Sequence, residues 1–290
     1  MAHFEAVPHS TESHHATDYP TDCLVNADWL AQHLETVVVF DCRFQLADAN
    51  WGQAQYQQGH IPGAYYLDLN RHLSSPVAAH GGRHPLPNWG SFVDRLNLTG
   101  IQSQPPTPVV IYDDNRFAFA ARLWWMLRYL GHRQVALLDG GWGAWQRGGY
   151  PTEQVAPSPR VSRFVPHPLP DWTVDIAQVR QAQADIGVLL IDSRAPARYR
   201  GEQEPIDPLA GAIPGAANAF WKDVTDEAGH LKSRAALAQH WSAVDDAEDV
   251  VVYCGSGVTA CVNLFSLVAA GKPMGKLYPG GWSDWCSYLS

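Results

Sequence analysis

The run Tyr253-Cys254-Gly255-Ser256-Gly257-Val258-Thr259-Ala260 sets one thiol at the end of an apolar stretch and follows it with small residues. Gly255, Ser256 and Gly257 leave the backbone free to curl. A tight curl turns successive amide N–H groups inward and makes a concave anion site. A helix starting directly afterwards adds unpaired donors and the positive end of its dipole. Donors around a sulfur favour its thiolate, and the thiolate is the nucleophilic form. The same curl would hold an anionic substrate, or a second sulfur bound to the first. The competing reading is an inert packed cysteine, since cysteine is among the most buried residue types.

Positioning such a loop takes a strand before it and a helix after it, and the sequence supplies this arrangement twice. Val37-Val-Val-Phe-Asp-Cys-Arg43 matches Val188-Leu-Leu-Ile-Asp-Ser-Arg194, and Ile61-Pro-Gly-Ala64 matches Ile213-Pro-Gly-Ala216. Val109-Val-Ile-Tyr112 matches Val250-Val-Val-Tyr253, and Asp139-Gly-Gly-Trp142 matches Pro279-Gly-Gly-Trp282. The order is kept, which indicates duplication of a whole domain rather than a short-period solenoid. The expected division is a mobile tail over 1–22, a first repeat over 23–150, a linker over 151–170 and a second repeat over 171–290. Prolines at 151, 157, 159, 166, 168 and 170 make that linker extended and semi-rigid. In each repeat a Val/Ile run precedes a helical pattern: 109–112 before a helix near 118–130, and 250–253 before a helix near 259–270. Gly131 and Gly271 close these helices. Continuous β-branched runs suit strands buried on both faces. The expected fold class is therefore α/β: two tandem domains, each a mainly parallel sheet with helices on both faces. Ligands in such sheets sit at the carboxyl ends of the strands.

The duplication acts as an internal control. Features in both halves are architecture: Asp41 and Asp192 with Arg43 and Arg194, as a buried pair or turn clamp; the two Ile-Pro-Gly-Ala turns; and the two Gly-Gly-Trp segments, expected to start a helix and bury an indole. Features in one half are candidates for chemistry. Where the second half reads Cys254-Gly-Ser-Gly, the first reads Asp113-Asp-Asn-Arg-Phe-Ala118. Arg198 has no matching arginine, because the offset of the strands sets it against Ala47; Arg200 falls against Ala49 by the same offset.

Composition narrows the classes. The chain has 290 residues, 46% hydrophobic and 17% charged, which excludes wholesale disorder. No apolar run approaches the roughly 20 residues that cross a bilayer. A net charge of −9 argues against a general nucleic-acid binder. Five cysteines are too few and too odd a number for a disulfide scaffold and suit a reducing, cytoplasmic compartment. The first residues carry His3, His9, His14 and His15 but neither a basic nor an apolar signal region. They read as a solvated tail or, alternatively, a metal-binding histidine cluster.

The loop Cys254 to Ala260 resembles the active-site loop of the mercaptopyruvate sulfurtransferases, a branch of the rhodanese family. Asp192-Ser-Arg194, Arg198-Tyr-Arg-Gly201 and the paired Ile-Pro-Gly-Ala and Gly-Gly-Trp segments support the resemblance, which covers about 23–290. It implies a noncatalytic first rhodanese-like domain and a catalytic second one. It further implies that Cys254 takes sulfur from a small-molecule donor as Cys–S–SH and passes it to cyanide or to a thiol such as thioredoxin or glutathione. Arg198 would hold the donor carboxylate, and Gly255, Gly257, Val258 and Thr259 would line the site. His84 would enter from the first domain as a proton donor, or be a surface histidine. Ser256 would bond the departing group, or be a turn residue. No metal, organic cofactor, membrane or nucleic acid is implied. Thiosulfate-preferring relatives carry basic residues where Gly255 and Ser256 stand, so the neutral loop favours a monoanionic donor such as 3-mercaptopyruvate. A second carboxylate-binding arginine of the mercaptopyruvate enzymes falls near Ile206 here, which keeps thiosulfate as the alternative. Asn70 stands where the family often has an acid, so a Ser–His–Asp relay loses its third member, although Asp68 is close in sequence. Cys261 reads as a resolving thiol or a core residue, Cys23 and Cys42 carry no role, and Cys286 is expected to be exposed. A phosphatase of Cys-x5-Arg type is strongly argued against, because Ala260 occupies the arginine position. A noncatalytic binding module is the remaining competitor.

Overall fold

The computed structural model describes residues 23–289. The reading of residues 1–22 as a mobile or metal-binding tail lies outside the described residues. The first half contains strands β1 (Leu24–Val25), β2 (Val38–Asp41), β3 (Tyr65–Tyr66), β4 (Val109–Tyr112) and β5 (Val135–Leu138). They form one parallel sheet in the order β1-β5-β4-β2-β3. The second half contains β6 (Val188–Asp192), β7 (Ala217–Asn218), β8 (Asp249–Tyr253) and β9 (Lys276–Leu277), parallel in the order β7-β6-β8-β9. A single bridge from Thr173 to Leu277 takes the place that β1 holds in the first sheet.

Strand alternation explains the layers. Val38, Phe40, Val109 and Ile111 face one core while Val37, Val39, Val110 and Tyr112 face another, so both sides of the sheet are apolar and both are covered. The second sheet does the same, with Ile191, Val250 and Val252 on one side and Leu190, Val251 and Tyr253 on the other. Each half therefore has helices on both faces of its sheet.

Two helices join the halves. Ala120–Tyr129 and Ala260–Ala269 are almost wholly buried, the first with Arg122 taken inside among its apolar residues. Phe265 of the second packs edge-on against Trp124 at 5.2 Å between ring centres and against Phe117 at 5.6 Å. One hydrophobic cluster consequently runs through both halves.

The shared motifs are built alike. The Arg43 guanidinium grips the Asp41 carboxylate at 2.6 Å and the Gly59 carbonyl at 2.7 Å, and its plane lies over Trp142. Arg194 does the same to Asp192 at 2.7 Å, to the Gly211 carbonyl at 2.6 Å and to Trp282. Both alternatives for these pairs hold, since each is buried and each also clamps a turn. Both Gly-Gly-Trp segments open a helix. The Trp282 indole is buried as expected, whereas Trp142 is only half-buried because it caps Arg43 near the surface.

The proline-rich segment is strapped along the first half. Its non-proline amides donate to that half: Arg160 to the Leu98 carbonyl (2.8 Å), Ser162 to Asn97 (2.8 Å), His167 to Leu130 (2.8 Å) and Leu169 to Tyr129 (2.9 Å). Cys286 departs from expectation: it is fully buried, because its helix, Gly281–Cys286, turns it toward the Leu209 carbonyl. Among the described residues no helix is long and apolar enough to cross a membrane.

Candidate active site

Strand β8 delivers Cys254 to the carboxyl end of its sheet, where the residue is 2% exposed. The loop that follows is shaped from behind by the second Gly-Gly-Trp turn. The Trp282 amide donates to the Cys254 carbonyl at 2.8 Å and the Ser283 amide to the Gly255 carbonyl at 2.9 Å. Two glycines make this approach possible. A Cβ at Gly257, whose φ is +69°, would stand 2.3 Å from the Pro279 carbonyl oxygen, and one at Gly281 would stand 2.5 Å from that of Cys254. The loop then enters the Ala260–Ala269 helix with Thr259 at the N-cap and Val258 buried in the shared core.

The first half shows what such a loop can hold. Trp142 donates to the Asp113 carbonyl at 2.8 Å just as Trp282 does to Cys254, so Asp113 and Cys254 are structural counterparts. The Asp113 carboxylate is buried inside its own loop. It accepts amide bonds from Asn115 (2.9 Å), Phe117 (3.1 Å), Phe119 (2.8 Å) and Ala120 (2.9 Å). Burial raises its pKa, and these four amides oppose the rise. In the second half the amides of residues 255–259 meet no backbone or side-chain acceptor among the described residues.

His84 and Ser256 come together. The His84 Nδ1 lies 2.7 Å from the Ser256 Oγ, and both residues are buried. His84 is therefore neither on the surface nor a proton donor at rest: burial above all, then the charges of Arg122 and Arg83, lowers its pKa to about 4. At neutral pH the ring is uncharged. Asp68 does not complete a relay; its carboxylate accepts the amides of Asn70 and Arg71, both at 2.9 Å. Asn70 itself is exposed. Ser256 thus bonds a side chain of the other half instead of serving its own turn.

Two charged groups of the site, Arg122 and Arg83, could not be read from the sequence. Arg122, on the Ala120–Tyr129 helix, is fully buried, and donates to the Gly257 carbonyl at 3.0 Å and the His84 carbonyl at 3.1 Å. Arg83 reaches over the loop from the first half and pairs with Asp207. Arg198 is half-buried and holds Glu204 at 2.7 Å and Asp207 at 3.0 Å. A Cβ at Gly255 would lie 2.8 Å from one Arg83 nitrogen and 3.6 Å from two of Arg198. The loop residues are neutral, but guanidinium groups from elsewhere in the fold stand over them.

The counterpart of Arg198 is also corrected. The Tyr56 hydroxyl donates to the Ala64 carbonyl at 2.6 Å, and the Tyr199 hydroxyl to the Ala216 carbonyl at 2.6 Å. These tyrosines are equivalent, which sets Arg198 against Gln55 rather than Ala47. Between Tyr199 and the clamped Gly211 lies an insertion that Tyr56 to Gly59 lacks, and Glu204, Ile206 and Asp207 lie in it. Ile206 is largely exposed and supplies no cation. Arg200 is spent on exposed Glu202. Cys261 is buried, donates toward the Gly257 carbonyl and has its pKa raised by burial to about 12, which is the core alternative rather than the resolving one. Among the described residues no group of His, Cys, Asp or Glu side chains is arranged to hold a metal ion.

Residues 26–148 and, again, 175–288 match the Rhodanese-like domain. The chain belongs to the rhodanese family. Among its relatives, a probable 3-mercaptopyruvate sulfurtransferase of Pseudomonas aeruginosa is 43% identical over 269 residues, covering 90% of this chain and 94% of the relative. A putative thiosulfate sulfurtransferase, SseB, of Mycobacterium tuberculosis is 38% identical over 256 residues, covering 87% and 89%. The crystal structure of SseA from Escherichia coli, described as a 3-mercaptopyruvate sulfotransferase, superposes with a TM-score of 0.76 at 32% identity, covering 90% of this chain and 98% of that one. This tandem rhodanese is accordingly a sulfurtransferase, an enzyme of sulfur transfer.

Proposed function

We propose that Cys254 carries the transferred sulfur as a persulfide, with 3-mercaptopyruvate as donor and cyanide or a thiol, such as thioredoxin or glutathione, as acceptor. The observation that carries this reading is the correspondence of Cys254 with Asp113. An aspartate oxygen lies two bonds beyond Cβ, and so does the outer sulfur of Cys–S–S⁻. In the first half, loop amides enclose an anion at that distance. In the second, the same kind of loop offers its amides to whatever the Cys254 side chain carries.

The chemistry balances in two steps. The Cys254 thiolate attacks the donor sulfur; the carbon–sulfur bond breaks and its electron pair leaves as the enolate of pyruvate. The donor thiol proton passes toward neutral His84 through Ser256 and returns to the enolate carbon. The acceptor then attacks the outer sulfur, and the Cys254 thiolate departs. Cys254, Ser256 and His84 are the catalytic set in this reading. Arg198, Gly255, Gly257, Val258 and Thr259 form the donor site, with Arg198 pairing a carboxylate. Thiosulfate is the second reading, favoured by the guanidinium groups that converge on Gly255. Five free thiols suit a cytoplasmic setting.

Intact-protein mass spectrometry after donor exposure is the test. One sulfur atom should be added, on the peptide bearing Cys254, and Cys254→Ser should lose both the adduct and all turnover. Turnover retained by Cys254→Ser, or an adduct on another cysteine, refutes the persulfide assignment.

A further inference from the structure

We propose that Arg83, a residue of the noncatalytic first half, binds the anionic end of the sulfur donor and sets which donor is preferred. The proposal rests on the persulfide reading and adds to it a specificity group supplied across the interface.

The backbone around Arg83 is docked on the second half. Gly82, at φ +79°, packs so tightly that a Cβ would stand 2.3 Å from the Gly280 carbonyl oxygen. The Gly81 amide donates to an Asp284 carboxylate oxygen at 2.7 Å, and the Arg83 amide to the Ser283 hydroxyl at 3.1 Å. The segment is thereby fixed against the turn that shapes the Cys254 loop.

From this anchor the side chain extends over Gly255. One terminal nitrogen, Nη1, meets Asp207; the other, Nη2, is the atom 2.8 Å from the Cβ position of Gly255. Arg198 is arranged in the same sense. Its Nε and Nη2 are taken by Glu204 and Asp207, while Nη1 is left 3.6 Å from that Cβ position. The carboxylates thus stand behind two guanidinium groups whose remaining N–H edges meet at the loop mouth. The Arg83 side chain is 29% exposed, so a solute can reach it. Burial lowers the Arg83 pKa, and among its charged neighbours Cys254 opposes that most.

Two converging guanidinium edges fit an anion with several oxygens, because each planar group donates in a fork. A carboxylate donor is held by one fork with help from the other. A dianionic donor such as thiosulfate draws on both charges, so it depends more on Arg83.

Steady-state kinetics with 3-mercaptopyruvate and with thiosulfate test this in Arg83→Gln, which leaves Asp207 paired with Arg198, and in Arg83→Gln/Asp207→Asn, which removes that carboxylate charge as well. Loss of one charge-assisted pair corresponds to roughly a tenfold to hundredfold fall in kcat/KM. The larger fall is expected for thiosulfate, with Arg83→Lys retaining part of the activity. Gly255 is not in the left-handed region, so a side chain there is sterically allowed once Arg83 is shortened. Arg83→Gln/Gly255→Lys should recover thiosulfate turnover by putting a cation back at the same point. Equal kinetics with and without Arg83, for both donors, overturn the proposal even while Cys254 still acquires sulfur. If Cys254 of the unaltered chain acquires no sulfur from either donor, it is the persulfide reading that has failed.

Discussion

A buried, uncharged imidazole bonded to a serine behaves differently from the solvated histidine that the motif suggests. With its pKa lowered to about 4, His84 accepts a proton before it can give one. The donor half-reaction should therefore show no inflection near the ordinary histidine value of ~6.5 and should lose its acceptor only as pH falls toward 4. A stopped-flow pH profile with an inflection near 6.5 that disappears in His84→Gln contradicts this. The same shift bears on stability. His84, His72 and His132 all have folded pKa values lowered to about 4, chiefly by burial. The unfolded chain takes up these protons first, so their contribution is complete above ~6.5 and is lost as pH falls from there toward 4. Urea midpoints should decline through that window, and His132→Gln should flatten the decline. The identities of Cys254, Ser256, His84 and Arg198 were readable in the sequence, since each belongs to a compact motif. Arg83 stood beside His84 in plain view, but its partners lie in the other half, and no local spacing encodes a contact of that range.

The two strand-loop-helix elements differ in how their curl is filled. In the first, Asp113 supplies its own anion, and Arg116 and Phe117 hold positive φ values of 54° and 69° around it. Asp113→Ala would strip four amides of their acceptor at once. At about 1–3 kcal/mol for each buried group left unpaired, an overall loss of at least about 3 kcal/mol is expected in chemical denaturation; a loss under about 1 kcal/mol would mean that the loop does not depend on its carboxylate. Arg122 ties the two elements together through the Gly257 and His84 carbonyls. Arg122→Met keeps the stem but removes both bonds, so the donor half-reaction should slow roughly tenfold or more while KM changes little. An unaltered rate constant would reduce Arg122 to packing. The strands, the two central helices and the paired turns were legible because duplication printed each pattern twice. The insertion bearing Glu204 and Asp207 was not: an offset carried over from the strands misplaces everything between Arg194 and Gly211, Arg198 included. Arg122 was hidden for another reason, since an arginine in a mostly apolar helix gives no sign of which carbonyls it will meet.

At the scale of the whole molecule, the halves share one apolar interior. Phe117, Trp124 and Phe265 interlock across the boundary, and the proline-rich strap runs back over the first half rather than swinging free. Calorimetry should accordingly give one melting transition, with the calorimetric and van't Hoff enthalpies equal; two resolved transitions would show that the halves unfold separately. The contact of Phe265 with Trp124 has a further effect on what the duplication could become. Removing the first repeat, which carries Asp113 where the second carries Cys254, would bare the aromatic flank of its sibling to water and leave Ser256 without its imidazole. The first repeat thus stands as a fixed wall beside the Cys254 loop of its sibling.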